Sequence, residues 1–125
     1  MVQSRDELPH GVTTVMLRNI PNRYTVEELI AEFFFEGFKG SFDFLYLPVA
    51  FTTKRNRGFA FINFVSSACA KSFKHVFHNL RLSRYATHKR VLVSPAVRQG
   101  LRENVSHYVE EMTHIANPMV SSTGL

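Results

Sequence analysis

Tryptophan is absent from the 125 residues, cysteine occurs once, and glycine and proline number only 6 and 5. With Cys69 alone, no intrachain disulfide can form, and a reducing, intracellular setting is expected over a secreted one. His75 and His78 lie near Cys69, but one thiol on the apolar stripe of a helix is not a zinc set, and the other histidines are scattered. No apolar run reaches the roughly 18 residues of a membrane span, and the first residues lack the basic and apolar regions of a secretory leader. The expectation is a soluble protein, nuclear or cytoplasmic, with no membrane partner. Neither G-x-x-x-x-G-K-S/T nor G-x-G-x-x-G occurs, so no phosphate cradle supports kinase or dehydrogenase chemistry. Paired carboxylates and nucleophile-base spacings are missing too. The chain reads as a non-enzyme without cofactor, metal or small-molecule substrate.

What is present is apolar and basic. Hydrophobic residues make up 45%, including 12 Phe and 4 Tyr, enough for one core with aromatics to spare. Lys and Arg outnumber Asp and Glu by 15 to 10, a net charge of +5 that favours a polyanionic partner. The acids cluster at Glu27, Glu28, Glu32 and Glu36, whereas from Phe38 to Arg102 Asp43 is the sole acid among many cations. A fold that separates these groups has one acidic and one basic side.

Periodicity outlines the elements. Thr13 to Asn19 is a β-branched and apolar run ending before Pro21, a first strand. Thr25-Val26-Glu27-Glu28 has the form of a capping box, and Val26, Leu29, Ile30 and Phe33 follow at helical spacing to Gly37. Phe35 falls opposite that stripe and either packs under a loop or tail, which is the expectation, or is exposed for a partner. Phe42 to Leu47 and Phe59 to Phe64 read as further strands, joined by the basic loop Lys54 to Gly58. Ser66 or Ser67 caps a second helix with Cys69, Phe73, Val76, Phe77 and Leu80 on its apolar face. Arg90 to Ser94 is a fourth strand, stopped by Pro95. Leu101, Val105, Tyr108, Met112 and Ile115 predict a third helix from about Val97 to His114, and the residues after Asn117-Pro118 are expected to fray. The order βαββαβ is an α+β, ferredoxin-like arrangement: a four-stranded antiparallel sheet with both helices on one face and the other face open.

The most specific signal is Arg57-Gly58-Phe59-Ala60-Phe61-Ile62-Asn63-Phe64. It fits the octapeptide of RNA recognition motif (RRM) domains, with Ile for Val. Strand alternation sends Arg57, Phe59 and Phe61 to one side and Ala60, Ile62 and Phe64 to the other. One set packs on the helices, and the other offers rings for base stacking and a guanidinium for phosphate. On the first strand, Val15 and Leu17 face the core while Met16 shares the side of Phe59 and Phe61, at a place where RRM domains usually carry an aromatic. If Leu45 and Leu47 face inward, Phe44 and Tyr46 extend the outer platform.

Thr13 to Thr25, Gly37 to Pro48, Gly58 to Phe64 and Ala96 to Gly100 resemble the divergent RRM of the Mei-two-like proteins, in which Met16 is usual. The resemblance spans about Thr13 to Tyr108, apart from the loop Arg81 to Lys89, which lacks the Trp often seen there. It implies a eukaryotic RNA-binding protein, in a family tied to meiotic or developmental control through RNA. The expected layout is an N-terminal extension (1–12), the RRM domain (13–96), a C-terminal helical extension (97–115) and a flexible tail (116–125). Single-stranded RNA is the expected partner, with Phe59 and Phe61 stacking bases, Phe44, Tyr46 and Met16 adding apolar contacts, and Arg18, Lys54, Arg55 and Arg57 meeting phosphates. The alternative is a protein-interaction RRM, with the sheet covered by the C-terminal helix or with a peptide or second chain docked. Against peptide docking, the region after the second helix reads R-L-S-R-Y-A-T and lacks the Arg-x-Phe signature of peptide-binding RRMs.

Overall fold

The computed structural model describes residues 7–114 and 119–120, with side chains through residue 109. In chain order the elements are β1 (Thr14–Arg18), α1 (Val26–Phe35), β2 (Phe42–Tyr46), β3 (Phe59–Phe64), α2 (Ser67–Phe77), β4 (Leu92–Pro95), α3 (Leu101–His114) and β5 (Met119–Val120). All strand pairings are antiparallel, and the sheet order is β4-β1-β3-β2-β5. The four expected strands form its body. β5 is an addition at the β2 edge, within the stretch expected to fray.

Local chemistry sets the boundaries. Thr25 caps α1 with the expected reciprocal box: its hydroxyl accepts from the Glu28 N–H, and the Glu28 carboxylate accepts from the Thr25 N–H, both at 3.1 Å. The Ser66 hydroxyl caps α2 by accepting from the Cys69 N–H at 3.1 Å. Asn19 has φ 65°, a left-handed conformation that asparagine tolerates, and it turns the chain out of β1. Gly58 has φ 91° where its carbonyl accepts from the Ile20 N–H at 3.0 Å, a geometry that favours glycine at the start of β3.

The main core lies between the sheet and helices α1 and α2. Phe33 sits at its centre, edge-on to Phe42, Phe73 and Phe77 at ring separations of 5.8, 5.0 and 5.3 Å. Val15, Leu17, Leu45, Ala60, Ile62 and Phe64 face it from the strands. Each fully buried large apolar side chain contributes about 1.5 to 3 kcal/mol of transfer free energy. Cys69 packs partly buried against this core with Val76 and Leu80, as its place on the stripe predicts.

Two expectations are corrected. Phe35 is not packed under a loop but 87% exposed on the outer face of α1. The third helix begins at Leu101 rather than near Val97, because Gly100 at φ 95° breaks the helical path before it. Of its predicted stripe, Leu101, Val105 and Tyr108 reach the sheet, while the side chains of Met112 and Ile115 lie outside the described residues.

Candidate RNA interface

Pairing registers arrange the outer face of the sheet in rows. Phe44, Asn63 and Thr14 form the first; Tyr46, Phe61, Met16 and Ser94 the second; Phe59, Arg18 and Leu92 the third. Neighbours across paired strands lie about 4.5 to 5.5 Å apart, so each row is a continuous strip. Phe42 and Phe44 would share a face on a regular strand, yet Phe42 faces the main core and Phe44 the outer side. The cause is a bulge: stepping from Phe42 to Phe44 on β2 advances the partner only from Phe64 to Asn63. Asp43 is the extra residue, and it resets the alternation.

α3 lies across the first row and one end of the second. Phe44, Tyr46 and Tyr108 form a second small core with Phe61, Leu101 and Val105 around it. Phe44 and Tyr46, expected on an open platform, are 0% and 1% exposed beneath the helix. Tyr108 stacks on Phe61 at 5.2 Å with 24° between planes, and lies 4.9 Å from Tyr46. It therefore occupies the kind of position on Phe61 that a stacked base would take. Among the described residues no helix lies across the third row: Arg18 is exposed, Phe59 and Leu92 are half-buried, and Met16 beside them is half-buried too. Phe59 stands edge-on to Phe61 at 5.7 Å.

A buried polar cluster fastens the start of α3 to the sheet. The Thr14 hydroxyl accepts from the Gly100 N–H at 2.8 Å and from Asn104 Nδ2 at 3.2 Å, and donates to Asn63 Oδ1 at 2.6 Å. Gln99 Oε1 accepts from the Thr13 and Thr14 N–H groups, each at 2.9 Å, while its Nε2 donates to the Thr14 carbonyl at 2.8 Å. Asn63 Nδ2 donates to Asp43 at 2.8 Å. These bonds together favour one seat for the helix, and within the cluster the buried Asn104 Oδ1 has no hydrogen-bond partner among the described residues. Sequence reasoning did not single these residues out. A signal was available: Asn104 interrupts the apolar stripe of Leu101, Val105 and Tyr108, and a polar residue on a buried helix face needs a partner.

The expected phosphate contacts sit at one end of the sheet. Lys54, Arg55 and Arg57 are exposed on the loop between β2 and β3. Asn56 is the buried anchor of that loop, donating to the carbonyls of Pro21 at 3.0 Å and Tyr24 at 2.8 Å and accepting from the Gly58 N–H at 2.7 Å. The loop that carries the cations is thus anchored by Asn56 just before β3 begins at Phe59.

The loop after α2 is fastened to α1 through carboxylates. Glu32 accepts from the Tyr24 hydroxyl and from the Ser83 and Arg84 N–H groups, and Glu28 accepts from the Tyr85 hydroxyl at 2.8 Å. Burial, reinforced by the bond to Glu32, pushes the Tyr24 hydroxyl well above the usual phenol range. Burial works against ionisation of Glu28, but the Thr25 N–H, the Tyr85 hydroxyl and the nearby Arg84 and Arg23 outweigh it and hold its carboxyl below the usual range.

An antiparallel βαββαβ sheet, helices behind and aromatic and basic side chains in front, defines the RNA recognition motif class of domain. Within that class the chain belongs to the family described as RNA recognition motif 2, which matches residues 12–109. It is 38% identical over 96 residues to "Protein MEI2-like 2" of Oryza sativa subsp. japonica, covering 77% of this chain and 11% of that protein. It is 35% identical over 96 residues to "Protein MEI2-like 1" of Arabidopsis thaliana, covering 77% and 10%. The match thus spans only about a tenth of these relatives' length. Solved structures share the fold: one described as "SXL-LETHAL PROTEIN/RNA COMPLEX", with TM-score 0.57 and 24% identity, covers 71% of this chain and 49% of that one. Another, "Structure of Rna15 RRM with bound RNA (GU)", with TM-score 0.58 and 20% identity, covers 81% and 96%.

Proposed function

We propose that this domain binds single-stranded RNA on the uncovered part of its sheet and carries out no catalysis. The observation that carries this reading is the row Phe59, Arg18 and Leu92, left open beside a rigid loop bearing Lys54, Arg55 and Arg57. About two to four nucleotides lie across the face, with a base stacked on Phe59 and a neighbour resting on Met16 and the free edge of Phe61. Arg18, Arg57, Lys54 and Arg55 meet the phosphates. Phe44 and Tyr46 support the platform from beneath α3 and do not touch RNA while that helix is seated. The RNA-bound state of two neighbours of the same fold accords with this reading, and the likeness to MEI2-like proteins is the support for reading the domain as one that serves post-transcriptional, meiotic or developmental regulation, in nucleus or cytoplasm.

Fluorescence anisotropy with a degenerate single-stranded RNA pool tests it. Each base stack is worth about 1 to 3 kcal/mol, so the Phe59→Ala, Phe61→Ala double variant loses on the order of a hundredfold in affinity while staying folded. Binding unchanged in the folded variant would remove the sheet as the RNA site. A protein-interaction reading is favoured by one observation, the exposed Phe35 among the acids of α1. It gains only if wild type and variant alike fail to bind RNA. Self-association through α3 has less to stand on, since its stripe as far as Tyr108 is seated on its own sheet.

A further inference from the structure

A cleft of about 1000 Å³ opens between the β1–α1 turn, the β2–β3 loop and the loop after α2. Arg23, Lys54, Arg55 and Arg57 line it together with Phe51 and Tyr85, and no acid is among its lining residues. Phe51 is 86% exposed at the tip of its loop, a large apolar ring that packing among the described residues does not explain. Each ring carries a cation on a face: Lys54 Nζ lies 5.1 Å from the centre of Phe51, and the Arg23 guanidinium 4.5 Å from the centre of Tyr85. Tyr85 is immobilised, edge-on to Tyr24 at 5.2 Å and bonded through its hydroxyl to Glu28, whose charge is partly met by Arg84 at 3.9 Å.

We propose that this cleft is a second nucleotide-binding site, which takes one further base and its phosphates from the same RNA strand. A nucleotide joins a stackable plane to an anionic phosphate, and the cleft offers both complements side by side. The base lies on Phe51 or on the Arg23 guanidinium, which sits over the Tyr85 ring; Lys54, Arg55 and Arg57 take the phosphates. Arg57 stands two residues before Phe59, on the loop that leads into β3, so RNA leaving the sheet passes into the cleft. An acidic protein segment would match the cations but would leave the exposed Phe51 ring without a purpose.

The inference rests on the RNA-binding reading, and the test separates the two. Anisotropy is measured for the intact chain with degenerate single-stranded RNA pools of about four and about ten nucleotides, the shorter being what the sheet alone holds. Phe51→Ala and Arg23→Ala, both at exposed positions and checked for folding by circular dichroism, are each expected to weaken the longer pool about tenfold and leave the shorter one unchanged. Phe51→Tyr retains binding, and 4-thiouridine in the longer pool crosslinks to the peptide containing Phe51. Equal affinity of Phe51→Ala and wild type for the longer pool overturns the site. So does a pattern in which Arg23→Ala alone matters and poly-glutamate competes as well as RNA, for then the surface recognises charge only. Loss with Phe51→Ala but not with the Phe59, Phe61 double variant upholds the cleft and overturns the sheet; the reverse overturns the cleft alone. A wild-type chain that binds neither pool overturns both.

Discussion

The outer face of the sheet has two halves built by the same rule and put to different use. On the β2 side, strand alternation and the bulge at Asp43 turn Phe44 and Tyr46 outward, where Tyr108 and the rest of α3 bury them. On the β1 and β3 side, the same alternation turns Met16, Arg18 and Phe59 outward, and nothing among the described residues covers the row of Phe59, Arg18 and Leu92. A side chain's direction is thus a local property, but its access to a ligand is decided by an element more than 40 residues further along the chain. The contrast also reassigns roles: aromatics alike in the sequence become a support on one side and a contact surface on the other.

Tyr108→Ala breaks the contrast most directly. Removing a buried ring from the second core costs about 3 kcal/mol, read as a lower urea midpoint, and it frees the face of Phe61 for a base. RNA affinity is therefore expected to rise several-fold as stability falls; a drop in affinity would mean that Tyr108 itself contacts RNA. A smaller effect is expected at the polar fastening. Asn104→Ala removes one donor from the Thr14 hydroxyl and one from the Gly100 carbonyl, each of which keeps a backbone N–H, and costs about 1 kcal/mol, with α3 amides exchanging hydrogen faster than those of β1 and β3. Faster exchange throughout the sheet would show that the helix and sheet open as one unit.

The smallest effect concerns the loop end. Glu28 is held below its ordinary pKa in the folded chain, so its contribution to stability is full above the unfolded value of about 4.3 and fades as pH falls through the lower folded value. Glu28→Gln is expected to cost less than about 1 kcal/mol at pH 7, in keeping with a partly exposed pair, and to match wild type near pH 3. Urea midpoints at the two pH values measure this. A difference that persists unchanged at low pH would assign the effect to the shape of the side chain and not to its charge.

Much of the fold was legible in the sequence because its signals are local. The capping box at Thr25, the stripe through Phe33, the period of two in Phe59 to Phe64 and the stops at Gly37 and Pro48 each depend on a few neighbouring residues. The candidate site was legible to the extent that it obeys the same rule, and Phe59, Arg18 and Met16 face outward as alternation requires. What could not be read depends on contacts between distant segments. The burial of Phe44 and Tyr46 needs the seat of α3, that seat needs Thr14, Asn63, Gln99 and Asn104 to meet, and the cleft needs Arg23, Phe51 and Tyr85 brought together from three loops. Phe35 failed for a related reason, since helical spacing says which face it is on and not whether another segment covers that face.

The most direct measurement is an NMR titration of the isotopically labelled chain with a degenerate single-stranded RNA pool, following backbone amides on both halves at once. The prediction is that Met16, Arg18, Phe59 and Phe61 shift progressively while Phe44, Tyr46 and the amides of α3 stay in place. Large shifts at Phe44 and Tyr46, together with loss of the α3 signals from their seated positions, would contradict the division of the sheet and make the helix a lid that RNA displaces.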